Sequence, residues 1–181
     1  MEYFKEFELK DATKCVIRSC NECDCNDVLE VLGTAHRETD FLLTYSGELT
    51  FTPEQEAEFL KAKKVNPREV QLGAFVDGKL AGIAGVSAVS SFEKLRHRAD
   101  LGISILQKYW GRGIGSALLD ACIECAKNAG YTQLELSVLE KNPRACALYL
   151  KKGFVEYGKN PRGFMSRSGE EQALVYMLLS L

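Results

Sequence analysis

The segment Gly111-Arg112-Gly113-Ile114-Gly115-Ser116 stands between two patterned runs of sequence. The run before it, Ala99 to Leu106, alternates in polarity and predicts a strand. The run after it, Ile114 to Ala129, has apolar residues at helical spacing and predicts a helix that stops at Gly130. A glycine-rich turn at a helix start presents unpaired backbone N–H groups, which can bind phosphate. The segment therefore predicts a phosphate-binding loop, to which Arg112 adds a charged donor.

Taken alone, this loop also fits a tight turn that uses small residues for packing. Two common nucleotide motifs are absent from it. No Lys-Ser/Thr pair follows the glycines, as a Walker loop requires, and Leu118 stands where a dinucleotide-binding fingerprint has its last glycine. The choice between a phosphate site and a plain turn depends on the surrounding sequence.

The rest of the chain alternates predicted strands with predicted helices. The Asp77-Gly78 dipeptide predicts a hairpin between two strands, and Thr52-Pro53-Glu54-Gln55 predicts a capped helix start. The predicted strands are Cys15–Arg18, Val70–Val76, Leu80–Val89, Leu134–Val138, Phe154–Tyr157 and Ala173–Leu179; further helices are predicted over Asp27–Glu38 and from Pro143 to Gly153. This order indicates an α/β layered fold.

The length of 181 residues suits one domain, which we expect to span residues 1–181. The formal net charge of -2 gives no electrostatic reason to expect a nucleic acid or an anionic membrane as partner. Met1 to Lys10 lacks the apolar stretch of a secretory signal, and no apolar run is long enough to span a bilayer. We therefore expect a cytoplasmic protein.

The chain contains 7 cysteines, an odd number. Without an export signal they are interpreted as reduced thiols, and no metal is expected. A zinc site formed by Cys15, Cys20, Cys23 and Cys25 is the alternative, although these residues lack two separated C-x-x-C pairs.

Four linked pieces of the chain resemble the core of the GNAT superfamily of acyl-CoA N-acyltransferases. They are Leu101-Gly102-Ile103-Ser104-Ile105, Tyr109-Trp110-Gly111-Arg112-Gly113-Ile114-Gly115, Leu134-Glu135-Leu136-Ser137-Val138, and Asn142-Pro143-Arg144-Ala145 running on to Leu148-Tyr149 and Gly153-Phe154. Their order is more specific than one glycine loop. The chain departs from the family at Trp110, where members often carry Gln or Arg.

The resemblance implies a mixed, strongly twisted sheet with helices on both faces and a splay between its two central strands. It also implies acetyl-CoA as a co-substrate. Pantetheine would pair with backbone groups of the first splayed strand, at Ser104 and Ile105. The pyrophosphate would bind Gly111, Arg112, Gly113, Ile114, Gly115 and Ser116, and Asn142 would contact the cofactor where the second strand ends.

The reaction that the resemblance implies is aminolysis of a thioester by a neutral amine. By position, Tyr149 matches the family tyrosine that donates a proton to the departing sulfur. Asp100 is the first candidate for the base, with a solvated strand-end aspartate as the alternative. Ser137 stands where some enzymes that acetylate peptide N-termini have glutamate, which weakens that substrate class. His36 and His97 match no motif and are interpreted as surface or satisfied residues.

The acceptor is a small-molecule or peptide amine that the sequence does not identify. Its binding is expected from residues 27–64 and from the loop before Ala99. The resemblance also allows a homodimer. The alternative to an enzyme is a module of the same fold that binds or senses acyl-CoA without turnover.

Overall fold

The computed structural model describes residues 1–48 and 50–181. Its strands are β1 (Phe4–Glu8), β2 (Lys14–Ser19), β3 (Val70–Val76), β4 (Lys79–Ala88), β5 (Arg98–Ile105), β6 (Gln133–Leu139), β7 (Val155–Met165) and β8 (Glu171–Ser180). Within the described residues they form one sheet in the order β1-β2-β3-β4-β5-β6-β8-β7. The β5–β6 pair is parallel, and the pairs on either side of it are antiparallel. The mixed α/β sheet expected from the sequence is confirmed.

The helices are α1 (Cys25–Glu38), α2 (Pro53–Val65), α3 (Ile114–Asn128) and α4 (Pro143–Lys151). They cover both faces of the sheet. Val28 of α1 and Leu60 of α2 pack with Ile83 of β4 on one face, whereas Leu118 of α3 packs with Leu101 of β5 on the other. None of the helices in residues 1–48 and 50–181 has the length and apolar character that a membrane crossing requires.

Local sequence signals account for several element boundaries. Thr52 accepts a hydrogen bond from the Gln55 backbone N–H, and the Gln55 side chain accepts one from the Thr52 N–H, which completes the predicted capping box. Asp77 and Gly78 have φ of 49° and 76°, which is the left-handed pair that a type I′ hairpin needs.

The two central strands separate after a short paired stretch. β5 and β6 pair only from Arg98↔Gln133 to Asp100↔Glu135. Beyond that point β5 pairs with β4 and β6 pairs with β8. The predicted splay is therefore present, and it leaves one backbone edge of β5 open between Leu101 and Ile105.

The last two strands are longer than the sequence predicts. β7 extends to Met165, beyond the predicted end at Tyr157, because register shifts in its ladder with β8 accommodate Gly158 and Pro161. Proline is tolerated there because β7 is the edge strand of the sheet.

Candidate active site

An open cleft of about 1270 Å³ follows the gap between β5 and β6. Its loop side is lined by residues 111–116 at the start of α3 and by residues 142–145 at the start of α4. Its α1–α2 side is lined by those two helices, by residues 39 and 41–44, and by the facing surface of β3, β4 and β5. The cleft therefore has room for two molecules that meet at the splay.

The predicted phosphate loop forms the N-terminus of α3. Gly111 and Gly113 have φ of 78° and 101°, and Gly113 is the residue that precedes the first helical turn. A Cβ built on either glycine meets nothing within 4 Å. The loop is therefore open to the cleft, and the unpaired N–H groups of the first turn of α3 are available to an anion. Gly115 lets this turn lie close to Ile105 and Leu148, since its Cβ would meet both at 3.3 Å.

Arg112 lines the cleft, but its guanidinium is already paired. It lies 2.8 Å from Asp11 and donates to Thr13 at 3.0 Å, which ties the loop to the β1–β2 turn. This pairing reduces the positive charge that Arg112 presents to a phosphate. Its role in phosphate binding stays a prediction.

The register of β4 and β5 decides which backbone groups face the gap. The hydrogen bonds from Leu106 N to Ala81 O and from Val89 N to Arg98 O show that even-numbered residues of β5 face β4. The expectation for Ser104 is thereby corrected, because its N–H and C=O point to β4. The backbone groups that point into the gap are instead those of Leu101, Ile103 and Ile105.

Trp110 closes part of this edge. Its indole Nε1 donates to the Ile105 carbonyl at 2.7 Å, so that carbonyl is already satisfied. The Ile105 N–H still faces the gap by strand alternation. The Arg144 guanidinium lies 5.0 Å from the Trp110 ring centroid, so the tryptophan also links the loop to α4.

Tyr149 lies on α4 and lines the cleft. It is 9% exposed, and its ring lies 5.8 Å from that of Phe154. No described residue bonds its hydroxyl. Burial raises the pKa of Tyr149 to about 12, helped by Cys146 and Cys122, so the phenol is protonated at neutral pH. The side chain therefore keeps a proton beside the cleft, as a general acid requires.

Asp100 lies at the last β5–β6 pair, opposite Glu135. Its side chain opens to the cleft, yet protein surrounds it enough that desolvation raises its pKa, and the Glu135 charge raises it further. Glu135 itself binds Arg98, with 2.7 Å between Oε2 and Nη2. A carboxylate with a raised pKa at the point of splay is a better proton acceptor than an exposed one.

Asn142 lines the cleft where β6 ends. Its Oδ1 accepts a hydrogen bond of 3.1 Å from the Ala145 N–H and so caps α4. Because this oxygen already caps α4, the side-chain amide nitrogen is the group that remains to donate a hydrogen bond to a ligand.

The two histidines match their interpretation as satisfied or surface residues. His36 binds the Leu32 carbonyl at 2.6 Å and Thr44 at 2.7 Å, while His97 is exposed. Cys15 and Cys20 are buried, whereas Cys23 is exposed. In the part of the chain that the structure describes, no three His, Cys, Asp or Glu side chains come together as a metal site would need.

The polar groups on the α1–α2 side of the cleft were not predicted from the sequence. Glu56 and Gln71 line it, together with Ser87. Glu56 looks like one more surface glutamate of an amphipathic helix. The available signal was its spacing, since Glu56, Leu60 and Lys63 follow i, i+4, i+7 and form the buried stripe of α2.

Comparison with known proteins agrees with this geometry. Residues 36–154 match the model of the acetyltransferase (GNAT) family. An L-amino acid N-acetyltransferase of Escherichia coli is 32% identical over 108 residues, which cover 59% of this chain and 65% of that protein.

Solved structures show the same fold. A GNAT-family acetyltransferase from Streptococcus pneumoniae has a TM-score of 0.89 at 32% identity, covering 92% of this chain and 99% of that one. A Salmonella typhimurium protein solved with acetyl-CoA has a TM-score of 0.82 at 20% identity, covering 92% and 94%. The chain belongs to the GNAT acetyltransferase family.

Proposed function

We propose that the protein transfers an acetyl group from acetyl-CoA to the primary amine of a small acceptor by direct aminolysis of the thioester. The observation that carries this is the cleft, which joins an open helix N-terminus to the splayed edge of β5. Acetyl-CoA would occupy the loop side, with its pyrophosphate at residues 111–116 and its pantetheine along Leu101 and Ile103. The acceptor would occupy the α1–α2 side.

In this reaction the amine nitrogen attacks the thioester carbonyl carbon, and the carbon–sulfur bond then breaks. A backbone N–H at the open edge of β5 would stabilise the oxyanion. Asp100, directly or through water, would accept the proton that the amine loses. Tyr149 would give its proton to the departing thiolate and regain one from solvent. The products are the N-acetyl amine and the free thiol of CoA.

The proposal is tested by acetyl-CoA binding and by thiol release. At a hundredfold excess over its dissociation constant, acetyl-CoA should stabilise the fold by about 2.7 kcal/mol, seen as a thermal shift. Amines should then release CoA thiol at a rate that depends on amine concentration. Absence of the shift at millimolar acetyl-CoA contradicts the proposal. A shift without thiol release for any amine favours the non-catalytic acyl-CoA-binding alternative.

A further inference from the structure

The charged side chains of the cleft are divided between its two sides. On the α1–α2 side, the charged lining residues in the described part of the chain are both acidic, Glu56 and Asp100. The lysines and arginines of the lining belong to the loop side; they are Lys10, Arg112, Arg144 and Lys151. The loop side also carries Glu8 and Asp120. An acceptor that enters the α1–α2 side therefore meets negative charge.

Glu56 is 4% exposed and lines the cleft. Among residues 1–48 and 50–181, no hydrogen bond or ion pair reaches its side chain. Lys63, on the same buried stripe of α2, shows the usual arrangement. Its ammonium lies 2.7 Å from Glu69 and 2.5 Å from the Ser87 hydroxyl, so its charge is compensated. Partial removal from water disfavours the charged form of this carboxylate, and desolvation accordingly raises the pKa of Glu56.

Three aromatic rings line the same side of the cleft as Glu56; they are those of Phe41, Phe51 and Phe59. Ring faces attract cations, and an ammonium that leaves water is held best by a carboxylate together with aromatic rings. The combination suits an organic cation. In the described residues this side of the cleft has no lysine or arginine for an acceptor carboxylate, and the ring of His36 is already hydrogen-bonded to Leu32 and Thr44.

We infer that the acceptor is a diamine or polyamine, whose reacting amine lies near Asp100 while its distal ammonium binds Glu56. This inference rests on the proposed function. α2 packs against β3, two strands from β5, and both carboxylates line the same cleft. A diamine offers one ammonium to Glu56 and one amine near Asp100, whereas an amine whose far end carries a carboxylate meets repulsion at Glu56.

The test compares three acceptors of equal length, namely 1,4-diaminobutane, 4-aminobutanoate and 1-aminobutane. Their binding to the CoA-saturated protein is measured by calorimetry and their turnover by thiol release. We expect the diamine to bind at least about tenfold more tightly than the other two. Glu56→Gln should reduce that preference by at least about tenfold, because it removes the charged partner. Glu58→Gln, an exposed change on the same helix, should leave it intact.

Binding and turnover separate the inference from the proposed function. Equal or tighter binding of 4-aminobutanoate overturns the inference, even if that compound is acetylated. A diamine preference that survives Glu56→Gln overturns it as well. Tight, Glu56-dependent diamine binding without thiol release supports the inferred site and contradicts the proposed transfer.

Discussion

The indole Nε1 of Trp110 donates a 2.7 Å hydrogen bond to the carbonyl oxygen of Ile105. This bond ties the entrance of the glycine loop to the last residue of β5. It occupies one of the acceptors that the open edge of β5 would otherwise offer to a ligand. The residue at which the chain departs from its family thus links the two elements at which we propose that the cofactor binds.

Trp110→Phe should weaken acetyl-CoA binding while keeping an aromatic ring beside Arg144. A hydrogen bond of this kind contributes about 0.5–1.5 kcal/mol, so we expect the dissociation constant to rise by about two- to tenfold. Calorimetry with acetyl-CoA measures the change. An unchanged constant would mean that the bond does not position the loop.

Gly111→Ala should impair acetyl-CoA binding, and Gly130→Ala at the other end of α3 is its matched control. Their φ angles are 78° and 76°, and a Cβ on either meets nothing within 4 Å. Both changes should therefore cost a similar ~1–2 kcal/mol of unfolding free energy from left-handed strain. Only Gly111→Ala adds a methyl group beside the proposed phosphate site. If both variants bind acetyl-CoA equally well, the loop does not hold the phosphates.

Tyr149→Phe should lower kcat by about 10²–10⁴-fold, with little change in acetyl-CoA binding. The control is Tyr131→Phe, which removes a buried hydroxyl that has no partner in the described structure. Tyr131 does not line the cleft, so removal of its hydroxyl should leave kcat unchanged. An acyl donor with a lower-pKa thiol should recover part of the Tyr149→Phe loss. Wild-type kcat in that variant, when chemistry limits the rate, would make Tyr149 a packing residue.

Asp100→Asn should lower turnover and flatten the acidic limb of its pH profile. The same change should stabilise the fold at neutral pH. The pKa of Asp100 is raised in the folded protein, so its contribution to stability is present below the unfolded pKa and is lost as pH rises through the folded pKa. Urea unfolding at pH 7 and pH 4 should show a stabilisation by Asn that shrinks at the lower pH. An unchanged rate profile would exclude Asp100 as the base.

Gly102→Ala should raise the KM for the amine and leave acetyl-CoA binding unchanged. Gly102 lies on the face of β5 shared with Asp100, and an added Cβ there meets nothing within 4 Å. The methyl group would therefore enter the α1–α2 side of the cleft without distorting the sheet. Gly33→Ala on α1, where the new Cβ makes only an ordinary contact with Arg37, is the control. Equal amine KM values in both variants would place the acceptor elsewhere.

The sequence by itself determined the glycine loop at the start of α3, the β3–β4 hairpin and the capped start of α2. In each case the signal is local. Glycine permits a positive φ at its own position, and an unpaired N–H at a helix start is hydrogen-bonded by residues within one turn. The order of strands and helices, together with the four linked motifs, was enough to predict the family fold. The positions of Tyr149 and Asp100 along the cleft followed from that resemblance.

Only the tertiary structure decided which groups face the cleft and which are already engaged in hydrogen bonds or ion pairs within the protein. Strand pairing turned the backbone of Ser104 toward β4 and that of Ile103 toward the gap. Contacts distant in sequence engaged Arg112 with Asp11 and buried Glu56 where it lines the cleft. These outcomes depend on packing between elements far apart in the chain. The identity of a helical glutamate does not by itself indicate whether its carboxylate faces water or the interior of a cleft.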